Sequence, residues 1–135
     1  MDFDSTMKAF ADKFSLAIEP KDGAVVLDFN SIPVSFMDAG DAVVIHAQIG
    51  EIGQDAEAGL LHSMLAANAA LADDGFAICQ DNSTDGFAVV RSAPMETLDA
   101  ESLSGIVAVL VSLATEWRRR LAEPQYTLPT TEQPV

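Results

Sequence analysis

The sequence predicts an α+β fold with the element order α-β-β-β-α-β-β-α, a twisted antiparallel sheet packed with helices. Three observations carry this reading. Apolar residues recur at helical spacing in three separated segments. Short β-rich runs lie between them, joined by turn residues close enough for hairpins. The runs come as a group of three and a group of two, whereas a parallel α/β sheet alternates single strands with helices.

The first helix is expected over about Asp2 to Phe14, because Phe3, Met7, Phe10 and Phe14 form one stripe while Asp4, Lys8 and Asp12 occupy other faces. Pro20 and Asp22-Gly23 break the chain. The runs 24–29, 32–37 and 42–49 follow, separated by Asn30-Ser31 and by Asp38 to Asp41, which makes an antiparallel meander with one buried face. Gly50 and Gly53 end it, and Asp55 is placed to cap a second helix reaching about Asp73. Leu60, Leu61, Met64, Leu65, Asn68, Leu71 and Ala72 give that helix its period, and its alanines permit close approach, so a central position on the sheet is expected. A second hairpin spans 76–80 and 87–91 around the Asp81 to Gly86 turn. Asp99 caps the third helix, with Leu98 and Leu103 at staple positions. Leu103, Ile106, Val107, Leu110, Leu113, Trp117 and Leu121 form its apolar face, and Arg118 to Arg120 complement its carboxyl-end dipole. Residues 1–122 read as a single domain; 123–135, rich in Pro and Thr, read as a disordered tail.

The 135-residue chain suits one core that needs neither metal nor disulfide. Its 49% hydrophobic content is too high for a disordered acidic chain. With 21 Asp and Glu against 7 Lys and Arg, a formal charge of −14, it lacks the cations that replace counterions on nucleic acid or anionic membrane. Partners are expected to be protein or small molecule. Cys79 stands alone, which excludes an internal disulfide and a thiolate metal cage and suits a reducing compartment. Residues 1–14 lack a signal peptide's basic region and apolar run, and the longest apolar stretch, Ile106 to Leu113, is too short for a bilayer. A cytoplasmic protein without membrane insertion is expected.

No catalytic set, cofactor site or metal site emerges. "DNSTDG" (81–86) opens like a calcium-binding EF-hand loop, but position 12 is Ser92 and β-type residues flank it, which favours a solvated turn. His46 and His62 have no partner at ligand spacing, so His46 is expected to point away from the core and His62 to lie on a helix flank. Cys79 has no nearby His and is expected to pack as a small apolar group. There is no phosphate-binding glycine loop and no Gly-x-Ser-x-Gly elbow. The informative excess is apolar. Phe3, Met7, Phe10 and Phe14, with Val34, Phe36 and Val44 of the meander, are more than a small interior obviously needs, and a sheet edge beside such a patch takes extended peptide by strand addition. Phe76, Ile78, Phe87 and Val89 of the second hairpin, together with the second helix, are the expected contacts of a two-fold homodimer.

The element order, the segment from Leu60-Leu61 to Ala67-Asn68, and the stretch from Phe87 through "LDAESL" (98–103) to "EWRRRL" (116–121) resemble the class I chaperones of bacterial type III secretion, the CesT or Tir-chaperone family, over about residues 2–122. The resemblance implies a homodimer that holds the N-terminal segment of a secreted effector extended and export-competent, with no cofactor and no catalysis. Two departures stand out: the proline-rich tail lies beyond the matched region, and the 81–86 turn is polar where relatives are often glycine-rich. The other readings are a regulatory or general interaction module of the same fold, or a small-ligand-binding domain or enzyme.

Overall fold

The computed structural model describes residues 2–51, 58–81 and 86–122. Helix α1 (Phe3–Lys13) leads into β1 (Ala24–Phe29), β2 (Ile32–Asp38) and β3 (Ala42–Glu51). Helix α2 (Ala58–Leu71), β4 (Phe76–Asp81), β5 (Gly86–Pro94) and helix α3 (Ala100–Ala122) follow. All pairings are antiparallel and the strand order is β1-β2-β3-β5-β4. The expected element order therefore holds, and so does the α+β class.

Local chemistry explains each junction. Asp2 accepts a hydrogen bond from the Ser5 N–H at 2.8 Å and starts α1; Asp99 does the same for α3 through the Ser102 N–H, also at 2.8 Å. These bonds, with a smaller contribution from each serine hydroxyl, hold both carboxyls below their ordinary value of 3.8. Because the folded-state value is the lower one, the caps stabilise fully above that range and lose their effect as pH falls through the lowered value. Asn30 and Ser31 both take positive φ, 54° and 67°, the type I′ geometry that matches strand twist in a two-residue hairpin.

Side chains of Val25, Leu27, Phe29, Val34, Phe36, Val43, Ile45 and Val89 share the sheet face that the helices cover. The central place on that face belongs to α3 and not, as the sequence suggests, to α2. Helix α3 packs on β2, β3 and β5, while the main sheet contact of α2 is with β4. The reason is the distribution of apolar residues. Leu103, Val107, Leu110, Val111, Ala114 and Trp117 of α3 form one buried stripe, whereas α2 is apolar all round and, of its described side chains, buries Met64 alone. Helix α3 has the length and composition of a membrane span, with a mean hydropathy of 1.2 over its most apolar window. About a third of that window is buried in the core, the stripe residues among it.

Burial corrects both expected apolar surfaces. Phe3, Met7, Phe10, Val34 and Phe36 lie inside the protomer, because α1 turns its stripe onto the sheet and α3. Phe76, Ile78 and Val89 are buried on the face toward α3, and Phe87 is half-buried. Cys79 is exposed instead of packed, since it sits on the uncovered face of β4. His46 is half-buried on the open sheet face and His62 is exposed on α2. The expected Asp55 cap, most of the 81–86 turn with its calcium-like pattern, and the 123–135 tail lie outside the described residues.

Candidate functional site: an open sheet edge beside an aromatic groove

Hydrogen-bond phase decides which backbone groups face outward at each sheet edge. With Phe29 and Ile32 closing the type I′ hairpin, the pairs Phe29/Ile32, Leu27/Val34 and Val25/Phe36 exchange hydrogen bonds, and the alternate residues of β1 point their N–H and C=O away from β2. These are Ala24, Val26 and Asp28. Ala24 exchanges both of its bonds with Lys21, each at 3.1 Å, as this phase requires. Among the described residues nothing bonds to the outward groups of Val26 and Asp28, and Val26 is 64% exposed.

The same phase carried across the sheet sends the N–H and C=O of Ile78 outward from β4. There Asn68 of α2 meets them. Its Oδ1 accepts from the Ile78 N–H at 2.6 Å and its Nδ2 donates to the Ile78 C=O at 3.2 Å, so one side-chain amide takes the place of a neighbouring strand. One edge is closed by a helix; the other meets no partner among the described residues.

Beside the free edge stands an aromatic cluster. Phe10 touches Phe14, Phe29 and Phe36 with ring centroids 5.2, 6.1 and 5.5 Å apart, and Phe14 meets Phe29 at 5.7 Å. Phe10 and Phe36 are core, whereas Phe14 remains 43% exposed. Phe14 and Phe29 form one wall of a groove of about 580 Å³; Val107, Ala108 and Val111 of α3 form the other, with Ser104, Thr115 and Glu116 at its rim. Glu116 accepts hydrogen bonds from Arg119 and from Arg120, the latter at 3.2 Å, which hold its carboxyl below the ordinary range. Leu16 follows α1 and is also partly exposed.

Of the first-helix stripe expected to meet a client, only Phe14, the C-cap of α1, lines the groove; Phe10 packs against it, and Phe3 and Met7 are buried in the core. Phe36 packs against Phe10, and Val34 is buried in the same core. Val44 is separated from them: it is half-buried on the opposite sheet face, across from Met37, which is 47% exposed. Sequence reasoning missed Val26, Asp28, Phe29 and Asn68. Asn68 carried a signal, a polar group placed on an apolar stripe. Among the described residues no cluster of His, Cys, Asp and Glu is arranged to hold a metal ion.

The family model for the Tir chaperone protein (CesT) family matches residues 5–118. The chain belongs to that family. The matched region of this CesT-family chain runs from the first turn of α1 almost to the end of α3, so it contains both sheet edges and the groove. Similar solved structures include the ExsC–ExsE complex, at 18% identity and TM-score 0.73 over 90% of this chain and 97% of the matched one. The HopA1–SchA chaperone–effector complex matches at 15% identity and TM-score 0.71, over 87% and 93%. The heterodimeric ExoU–SpcU complex from the type III secretion system of Pseudomonas aeruginosa matches at 13% identity and TM-score 0.70, over 86% and 97%. At these identities the likeness is one of fold. No curated protein matches the chain in sequence.

Proposed function

We propose that this CesT-family chain is a cytoplasmic type III secretion chaperone that takes an extended N-terminal segment of an effector onto the β1 edge, with client side chains covered by the Phe14–Phe29 groove. The observation that carries this reading is the asymmetry of the edges. Asn68 occupies the β4 edge, while Val26 and Asp28 offer N–H and C=O groups that are unpaired among the described residues, on the strand that ends in Phe29 of the Phe14–Phe29 groove wall. Strand addition there draws affinity from main-chain bonds, which suit varied clients, and selectivity from the side-chain pocket. The SchA–HopA1 structure, described as a chaperone–effector complex, supports the class of partner. The work done is steric: aggregation-prone apolar segments are covered and kept extended, with no cofactor and no reaction at any side chain.

The functional unit we propose is a homodimer formed through α2. Leu61 and Leu65 are 37% and 71% exposed, and a helix apolar on every side yet covered on one calls for a second layer. This moves the expected contacts from the hairpin residues Phe76, Ile78, Phe87 and Val89 to the exposed side of α2.

The test is co-purification from the native host, followed by hydrogen exchange on the captured effector complex. Slowed exchange at the Val26 and Asp28 amides is expected on binding. Val26→Pro removes an outward N–H at an edge position where proline is tolerated, so the variant should fold and lose capture. A folded Val26→Pro variant that captures the effector at the wild-type level overturns the reading.

A further inference from the structure

The free edge carries a charge as well as unpaired main-chain groups. Asp28 is exposed on the open sheet face, its cross-strand neighbour is Pro33, and the next residue of β2 on that face is Ser35. Among the described residues the Asp28 side chain has no ion pair or hydrogen bond. A strand that adds to β1 stands directly opposite Val26 and Asp28. Facing Cβ atoms are then about 5 Å apart, close enough for charges to pair. Side chains alternate along a strand, so the client residues on either side of the one facing Asp28 point to the other face, toward half-buried Leu27 and Phe29. The chain carries −14 overall, so its long-range field is negative.

From this geometry, and resting on the strand-addition reading above, we infer that Asp28 selects the client: the added strand bears Lys or Arg across from Asp28, with an apolar residue on each side of that cation. The cation answers an exposed, unpaired carboxylate on the open face. The two apolar residues answer the half-covered Leu27 and Phe29 on the helix face. Acidic segments are rejected by like charge at the same position, which separates clients from the chaperone's own surface and from other acidic chains.

The probe is a random heptapeptide display library panned on the full-length chain, followed by fluorescence anisotropy on one enriched peptide with Lys, Gln or Glu at the position facing Asp28. Enrichment of apolar–cation–apolar triplets is expected, and exchanging Lys for Gln weakens binding about two- to fivefold at low salt, less at high salt. Asp28→Lys should reverse the preference so that the Glu peptide binds best; Asp28→Asn should erase it. Thermal melts matching the wild type establish that each variant is folded. If Val26→Pro abolishes binding but Asp28→Lys leaves the Lys preference intact, this inference is overturned and strand addition stands. If Val26→Pro leaves peptide binding unchanged, strand addition itself fails and the inference with it.

Discussion

At the β4 edge Ile78 turns its N–H and C=O outward and Asn68 takes both; at the β1 edge Val26 and Asp28 turn the same groups outward and, among the described residues, meet no partner. The two edges are chemically alike in backbone and opposite in treatment. An exposed edge is a hazard, because any chain with unpaired main-chain groups can add to it, and proteins commonly cover such edges or charge them. Here α2 covers one. The other is short, carries Asp28, and lies beside the partly exposed rings of Phe14 and Phe29. The contrast teaches that the open edge is kept open next to apolar side chains that would otherwise be a liability, which is what a binding strand site requires.

Removing the cover should make the largest difference to folding. Asn68→Ala deletes two bonds to a partly buried main chain and leaves the Ile78 N–H and C=O without partners, a loss of about 2–3 kcal/mol for groups of this kind. Urea unfolding measures it. The variant should also acquire a second strand-binding edge, seen as self-association that grows with concentration. If stability is unchanged, the amide is not what closes that edge.

The next effect concerns the outer side of the same helix. Leu65→Asp places a charge at the most exposed large apolar residue of the described part of α2, where the fold does not need it and a second protomer would. The dimer should weaken by about thirtyfold or more, the loss of a hot-spot contact of roughly 2 kcal/mol, with little change in a monomer's melt. Sedimentation equilibrium decides: a wild-type mass of 14.3 kDa that persists with rising concentration removes the proposed dimer altogether.

Much of this fold is legible in the sequence, and particular residues show where legibility stops. Asn30-Ser31, Asp99 with Ser102, and the 103–117 stripe of α3 state local geometry, so the hairpin, the cap and the helix are recovered from them. The stripe of Phe3, Met7, Phe10 and Phe14 is equally plain, but periodicity says that one face is apolar, not whether that face meets the core or a client. Only Phe14, at the C-cap of α1, stays partly open. Which helix covers the sheet was misread for a related reason: α2 has the more alanine-rich sequence, but its apolar residues have no preferred side. The open edge was illegible because it depends on hydrogen-bond phase and strand order, which no single residue encodes.

The smallest predicted effect tests the phase argument itself. Pro33 has no N–H, and the phase that leaves Val26 and Asp28 outward also points Pro33 toward Gln48 of β3, whose C=O is thereby left without a strand donor. Arg118 supplies it: its Nε donates to the Gln48 C=O at 3.0 Å, and Nη1 donates to the Ser31 C=O at 3.3 Å, tying α3 to the hairpin below the groove. Arg118→Ala should therefore cost about 1 kcal/mol, the exposed site keeping it near the low end for a bond from a charged donor. Pro33→Val restores a strand N–H at that position, so in the Pro33→Val background the same Arg118→Ala change should cost clearly less. Equal cost in both backgrounds, measured as a double-mutant cycle in urea, would mean that Arg118 is not replacing the missing strand bond, and the assignment of outward groups at β1 would lose this support.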